Sequence, residues 1–217
     1  MSDLPASGEP GEDERDVLGL PVGMVRPMVH WGQPIMHRAL APVTTFDADL
    51  AALAADMFVT MDAADGVGLA ANQVGADLAM FVFDVRLPGE PDGAVGVICN
   101  PVLTVPEPDD PDDPDSAGQA WIADSEGCLS LPGAFVPCKR ALVASVSGVD
   151  HTGAPVSYHG TGLLARCLQH ESDHLRGVVF ADHVPGRLRR KLHKQAERYA
   201  PEFPPDWPVS PREEPTG

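Results

Sequence analysis

Residues 170–174 read His170-Glu171-Ser172-Asp173-His174. On a helix, two imidazoles four positions apart lie one turn from each other on the same face, so they can converge on one cation. The glutamate between them is placed to move a proton. Two side chains do not complete a catalytic metal site, so the chemistry turns on the third ligand. Cys167 lies three residues before His170, but a rise of about 1.5 Å per residue separates it from His174 by roughly 10.5 Å, at the limit of reach. It is expected to pack beside the site. Cys128 lies in SEGCLSLPG, residues 125–133, an extended segment with a glycine before the cysteine. Such a segment can press its thiol against the helix. One sulfur and two imidazoles would leave a coordination position open for water.

Other third ligands can be weighed. A metzincin protease would continue the motif to a histidine at position 180, and this chain follows that template through Gly177 before placing Phe180 there. Asp182 and His183 follow closely and stay open on sequence grounds. A thermolysin-like arrangement would need Glu197, which stands in a strongly basic stretch.

A third stretch, GVGLAANQVG at 66–75, has two glycines that permit close backbone approach and Gln73 as a source of amide donors. GVGLAANQ, EGCLS and QHESDHLRG, in that order, are similar to the three signature motifs of the peptide deformylase family, and the likeness extends over about residues 24–200. The resemblance implies that Cys128, His170 and His174 bind the metal. It makes Glu171 the general acid/base for water activated by that metal, and it makes Gln73 with the Leu129 backbone N–H the stabilisers of the oxyanion. It further implies Fe2+ as the ion, with Zn2+, Ni2+ or Co2+ able to substitute, and the N-formylmethionyl end of a new polypeptide as substrate. Space near Gly68 would admit the formyl group, and Val67, Leu163 and Cys167 would wall the methionine slot. The run LPGAFVPCKR departs from many deformylases in placing no arginine close behind EGCLS. A zincin-type endopeptidase and a non-catalytic paralogue are the competing readings; intact Glu171 and Gln73 speak against the second.

These stretches need a scaffold. A helix is expected over 46–64, capped by Thr45, with Leu50, Leu53, Met57 and Met61 as its apolar stripe. Strands are expected at 78–85 and at 95–100, the latter ended by Pro101, and a hairpin pairs 142–150 with 155–160. The metal helix runs from Thr161 to Gly177. A last helix, 186–199, carries Arg187, Arg190, Lys191, Lys194 and Arg198 on one flank and Leu188, Leu192, Ala196 and Tyr199 on the other. Its basic flank is a solvated face or a ribosome-docking surface. Irregular alternation of strands and helices gives an α+β class, with mixed and antiparallel sheets around a central metal-binding helix and a C-terminal helix.

The formal charge of −17 over 217 residues is concentrated in three places: residues 1–16, 105–126 and 202–217. Acidity there favours solubility and argues against DNA as a partner. The organisation expected is a disordered acidic leader (1–20), a deformylase-like catalytic domain (21–200) with an acidic Pro/Asp loop (104–121), and a Pro-rich tail (201–217). No apolar run approaches the ~18 residues of a membrane helix, and the acidic start has no apolar h-region, so a cytoplasmic location is expected. No C-x-x-C pair occurs among the four cysteines, and a disulfide framework is not expected.

Overall fold

The computed structural model describes residues 18–87, 92–106 and 121–213. The expected leader as far as residue 17 and the acidic loop from 107 to 120 lie outside them. Helix α1 spans Ala48–Ala63. Its cap is Asp47 and not Thr45: the Asp47 carboxylate accepts the N–H groups of Asp49 and Leu50. A carboxylate at this position satisfies two orphan donors and meets the positive end of the helix dipole, which a threonine hydroxyl does less well.

Five antiparallel strands form the larger sheet, in the order β1 (Gly68–Ala70), β2 (Met80–Asp84), β3 (Val95–Thr104), β6 (Val143–Val149) and β7 (Pro155–Thr161). Both faces of this sheet are covered. Along β2, Met80 and Val82 enter one core with α1, whereas Phe81 and Phe83 enter a second core with Leu164 and Leu168 of helix α2 (Gly162–Leu175). A strand buried on both faces reads as an unbroken apolar run, and that is the pattern of residues 78–83. Pro101 does not end β3. The strand bends at Asn100, whose φ of 52° accompanies a bulge between Cys99 and Val102. The Asn100 amide bonds both the N–H and the carbonyl of Val43 at 2.8 Å. A bulge leaves a residue out of the ladder, so proline's missing donor is tolerated there.

Strands β4 (Trp121–Cys128) and β5 (Leu131–Ala141) form a separate two-stranded sheet. Helix α3 (Gly186–Tyr199) lies on β5 and buries Leu192 in a third core with Val136 and Phe180. The Pro-rich end is packed as far as it is described. Trp207 is 6% exposed within the α1 core, its carbonyl accepts the Met28 N–H at 2.7 Å, and Phe203 meets it edge to face. Two aromatic rings thus anchor a segment whose proline content suggested a tail. Leu18 and Leu20 also pack against this core. Among the described residues no helix is long and apolar enough to cross a membrane.

Candidate metal centre and active site

Thr161 precedes α2 at the cap position, but its hydroxyl and N–H both donate to Asp92, so the side chain does not cap the helix. At the other end Gly177, with φ of 75°, stops α2. Its N–H reaches the His174 carbonyl, and the Val178 N–H reaches that of Asp173. This closure needs a left-handed residue, and any Cβ there would strike the Arg38 backbone. Between these ends, six consecutive polar residues from Gln169 to His174 are buried. All but Ser172, whose buried hydroxyl has no hydrogen-bond partner among the described residues, are held by another part of the fold or belong to the site.

Cys128 ends β4, and its Sγ lies 3.3 Å from His174 Nε2, which is 3.2 Å from His170 Nε2. All three donor atoms fall within 4.8 Å of one another. Donors bound at about 2.0–2.3 Å around a tetrahedral ion would stand roughly 3.3–3.6 Å apart. The set therefore fits one metal ion with little movement. The Nδ1 of His170 is bonded to Glu126 at 2.8 Å, which leaves Nε2 to face the donor cluster. Burial, helped by the neighbouring His170, holds His174 well below the usual histidine value, in the neutral form a metal requires. Burial also opposes protonation of His170, but its bonds to Cys128 and Glu126 outweigh this and raise its pKa.

Glu126 is the hub of a charged network that sequence reasoning did not find. It accepts Arg140 through Nη2 (2.7 Å) and Nε (3.1 Å), and Arg166 through Nη1 (2.7 Å). Arg140 extends to Asp173 at 2.5 Å, and Asp173 also accepts His183 Nε2 at 2.7 Å and Arg176. Burial would raise both carboxylates, but His170 with Arg140 at Glu126, and His183 with Arg140 at Asp173, hold them well below the ordinary range. The Gln169 amide pairs with the N–H and carbonyl of Ala141, fastening α2 to β5.

Of the other residues named from sequence, Gln73 and Leu129 adjoin Cys128, and Glu171 stands between the two imidazoles on α2. Glu171 is buried with Oε2 unpartnered, and burial pushes its pKa up to about 7. The Gln73 Oε1 accepts the Ala70 N–H, which aims Nε2 at Ser130 Oγ (3.3 Å) and Cys128 Sγ (3.6 Å). Leu129 follows Cys128 in the tight turn between β4 and β5. Gly68 touches the Glu171 side chain so closely that a Cβ would lie 2.6 Å from Oε1. Val67, Leu163 and Cys167 share one apolar cluster. The Cys167 thiol is raised by burial, donates to the Val67 carbonyl and lies outside the donor set. Asp182 accepts the Val179 N–H, His183 is engaged by Asp173, and Glu197 is exposed on α3, so none of these reaches the histidines. Phe180, at the metzincin histidine position, packs on the His170 ring.

The model of the polypeptide deformylase family matches residues 25–190. The chain belongs to that family. It is 42% identical over 192 residues to peptide deformylase 1 of Streptomyces avermitilis, covering 88% of this chain and 85% of that protein. A crystal structure of a peptide deformylase from Legionella pneumophila superposes with a TM-score of 0.70 at 33% identity, over 82% of this chain and 96% of the other. A deformylase of Synechococcus elongatus, solved in complex with actinonin, gives a TM-score of 0.67 at 32% identity over 81% and 88% of the two chains. The protein is thus a hydrolase of protein biosynthesis that removes the N-formyl group from new peptides.

Proposed function

We propose that the enzyme hydrolyses the formamide bond of N-terminal formylmethionine, with Cys128, His170 and His174 holding one divalent ion. Fe2+ is the working ion in this reading, and Zn2+, Ni2+ or Co2+ suits the same sulfur and nitrogen donors. Bound by these residues, such an ion would lower the pKa of water and so supply hydroxide near neutrality. Glu171 takes the proton of the attacking water and delivers one to the departing amine, leaving formate and a free methionyl terminus. A carboxyl group titrating near 7 can do both. The Gln73 amide and the Leu129 N–H donate to the formyl oxygen as it gains charge, a contribution of about 3 kcal/mol per donor in comparable sites. Gly68 leaves room for a formyl hydrogen beside Glu171, and Val67, Leu163 and Cys167 receive the methionine side chain.

The observation that carries this reading is the convergence of one sulfur and two imidazole nitrogens beside a buried, unpartnered carboxylate. The test is metal analysis of anaerobically purified protein together with formate release from a formyl-Met peptide. Glu171→Ala is expected to keep metal without turnover, and Cys128→Ala to lose both. Internal peptide cleavage without formate would favour the endopeptidase reading instead.

The exposed cations of α3, Arg187, Arg190, Lys191, Lys194 and Arg198, support a contact with the ribosome, and in this reading the enzyme works in the cytoplasm beside nascent chains. Reversing these charges is expected to abolish co-sedimentation with ribosomes; absent or salt-independent binding by the wild type would remove the idea.

A further inference from the structure

Arg166 stands one turn before His170 on α2, and its side chain is 12% exposed. One nitrogen, Nη1, donates both to Glu126 Oε2 at 2.7 Å and to the Cys138 carbonyl of β5 at 3.0 Å. The other oxygen of Glu126, Oε1, carries the bonds from His170 Nδ1 and Arg140 Nη2. Apart from Arg166, the longer 3.1 Å bond from Arg140 Nε is the only other bond to Oε2 among the described residues. The firm hold on that oxygen therefore comes from Arg166. The same guanidinium ties the helix that carries both imidazoles to the hairpin that carries Cys128.

We propose that Arg166 is a positioning residue for the metal centre. It fixes Glu126 so that Oε1 stays on His170, and it docks α2 on the β4–β5 hairpin at the spacing one ion needs. The proposal rests on the ligand assignment made above. Arg140 is a poor probe of it, because removing Arg140 would strip the main counter-charge from two buried carboxylates at once. Loss of Arg166 leaves Glu126 paired with Arg140, so the fold is retained while the carboxylate gains freedom.

The experiment titrates metal-free wild type, Arg166→Met and Arg166→Lys with Co2+, following affinity and the visible absorption of the cobalt–thiolate chromophore. Turnover of the cobalt enzymes is measured alongside. Arg166→Met is expected to bind Co2+ about tenfold more weakly, the lower end for partners of metal-bound histidines. Its absorption should shift and its kcat fall with KM unchanged. Arg166→Lys keeps the charge but loses the fork, and should bind about threefold more weakly than wild type. If Arg166→Met shows wild-type affinity and absorption, even with a lower melting temperature, Arg166 is a structural tie only and the proposal fails. Should Arg166→Met not fold, wild-type affinity and absorption in Arg166→Lys would overturn it. Failure of the wild type itself to bind Co2+ would strike the ligand assignment instead.

Discussion

Gly68→Ala separates the chemistry from the fold at a single carbon. The φ of Gly68 lies outside the left-handed region, so the backbone itself accepts alanine. The obstacle is space: the new Cβ would lie 2.6 Å from Glu171 Oε1, 2.7 Å from Cys167 Sγ and 2.9 Å from Glu171 Cγ. An unstrained contact to carbon is about 3.5 Å, so something must retreat by about 0.9 Å. Cys167 is enclosed and bonded to the Val67 carbonyl, whereas the Glu171 carboxylate is the free end of a flexible side chain. Glu171 therefore moves, or β1 does. The stability cost should be that of modest overpacking, about 1–3 kcal/mol. A catalytic group displaced by about 1 Å can lose ~100-fold in rate. Urea unfolding of the metal-loaded variant should show the modest loss, metal content should equal wild type, and formate release should fall about two orders of magnitude. Wild-type turnover in Gly68→Ala would refute the claim that this contact sets the position of Glu171.

Asp173 tests the charged network. Its native pKa is depressed, so its stabilising contribution is complete above the unfolded value of about 3.9 and fades as pH falls below that toward the lower native value. Asp173→Asn should be less stable than wild type at pH 7, and the gap should narrow on acidification from about pH 4; a gap independent of pH would sink this account. Trp207→Ala should cost about 3–5 kcal/mol in urea unfolding, the range for large aromatic truncations in a core, because Trp207 is an inner member of the α1 cluster. A cost below 1 kcal/mol would show that the C-terminal segment is dispensable.

Spacing exposed the two imidazoles, because a helix fixes where positions 170 and 174 point; Cys128 was one candidate among several, and the likeness to the deformylase motifs singled it out. Helix α3 was legible to the residue for a similar reason: one apolar stripe on a charged background. Strands β4 and β5 were legible only as the extended segment around Cys128. Their inward positions include Glu126 and Arg140, polar residues that break the alternation by which a half-buried strand is known. Those two residues are 14 apart and lie 44 and 30 from His170, and no local pattern announces a partnership at that range. The caps failed for a related reason. Thr45 and Asp47 both suit an N-cap, and only the observed geometry distinguishes them; Thr161 was diverted by Asp92, a partner 69 residues away.

The helix bearing the two imidazoles presents no wet side along residues 167–175. Surface helices drift in sequence because their outer positions answer to water alone; this stretch has no such positions, and every replacement is judged by a neighbour. Random mutagenesis read out by growth should therefore leave 167–175 nearly bare of accepted changes.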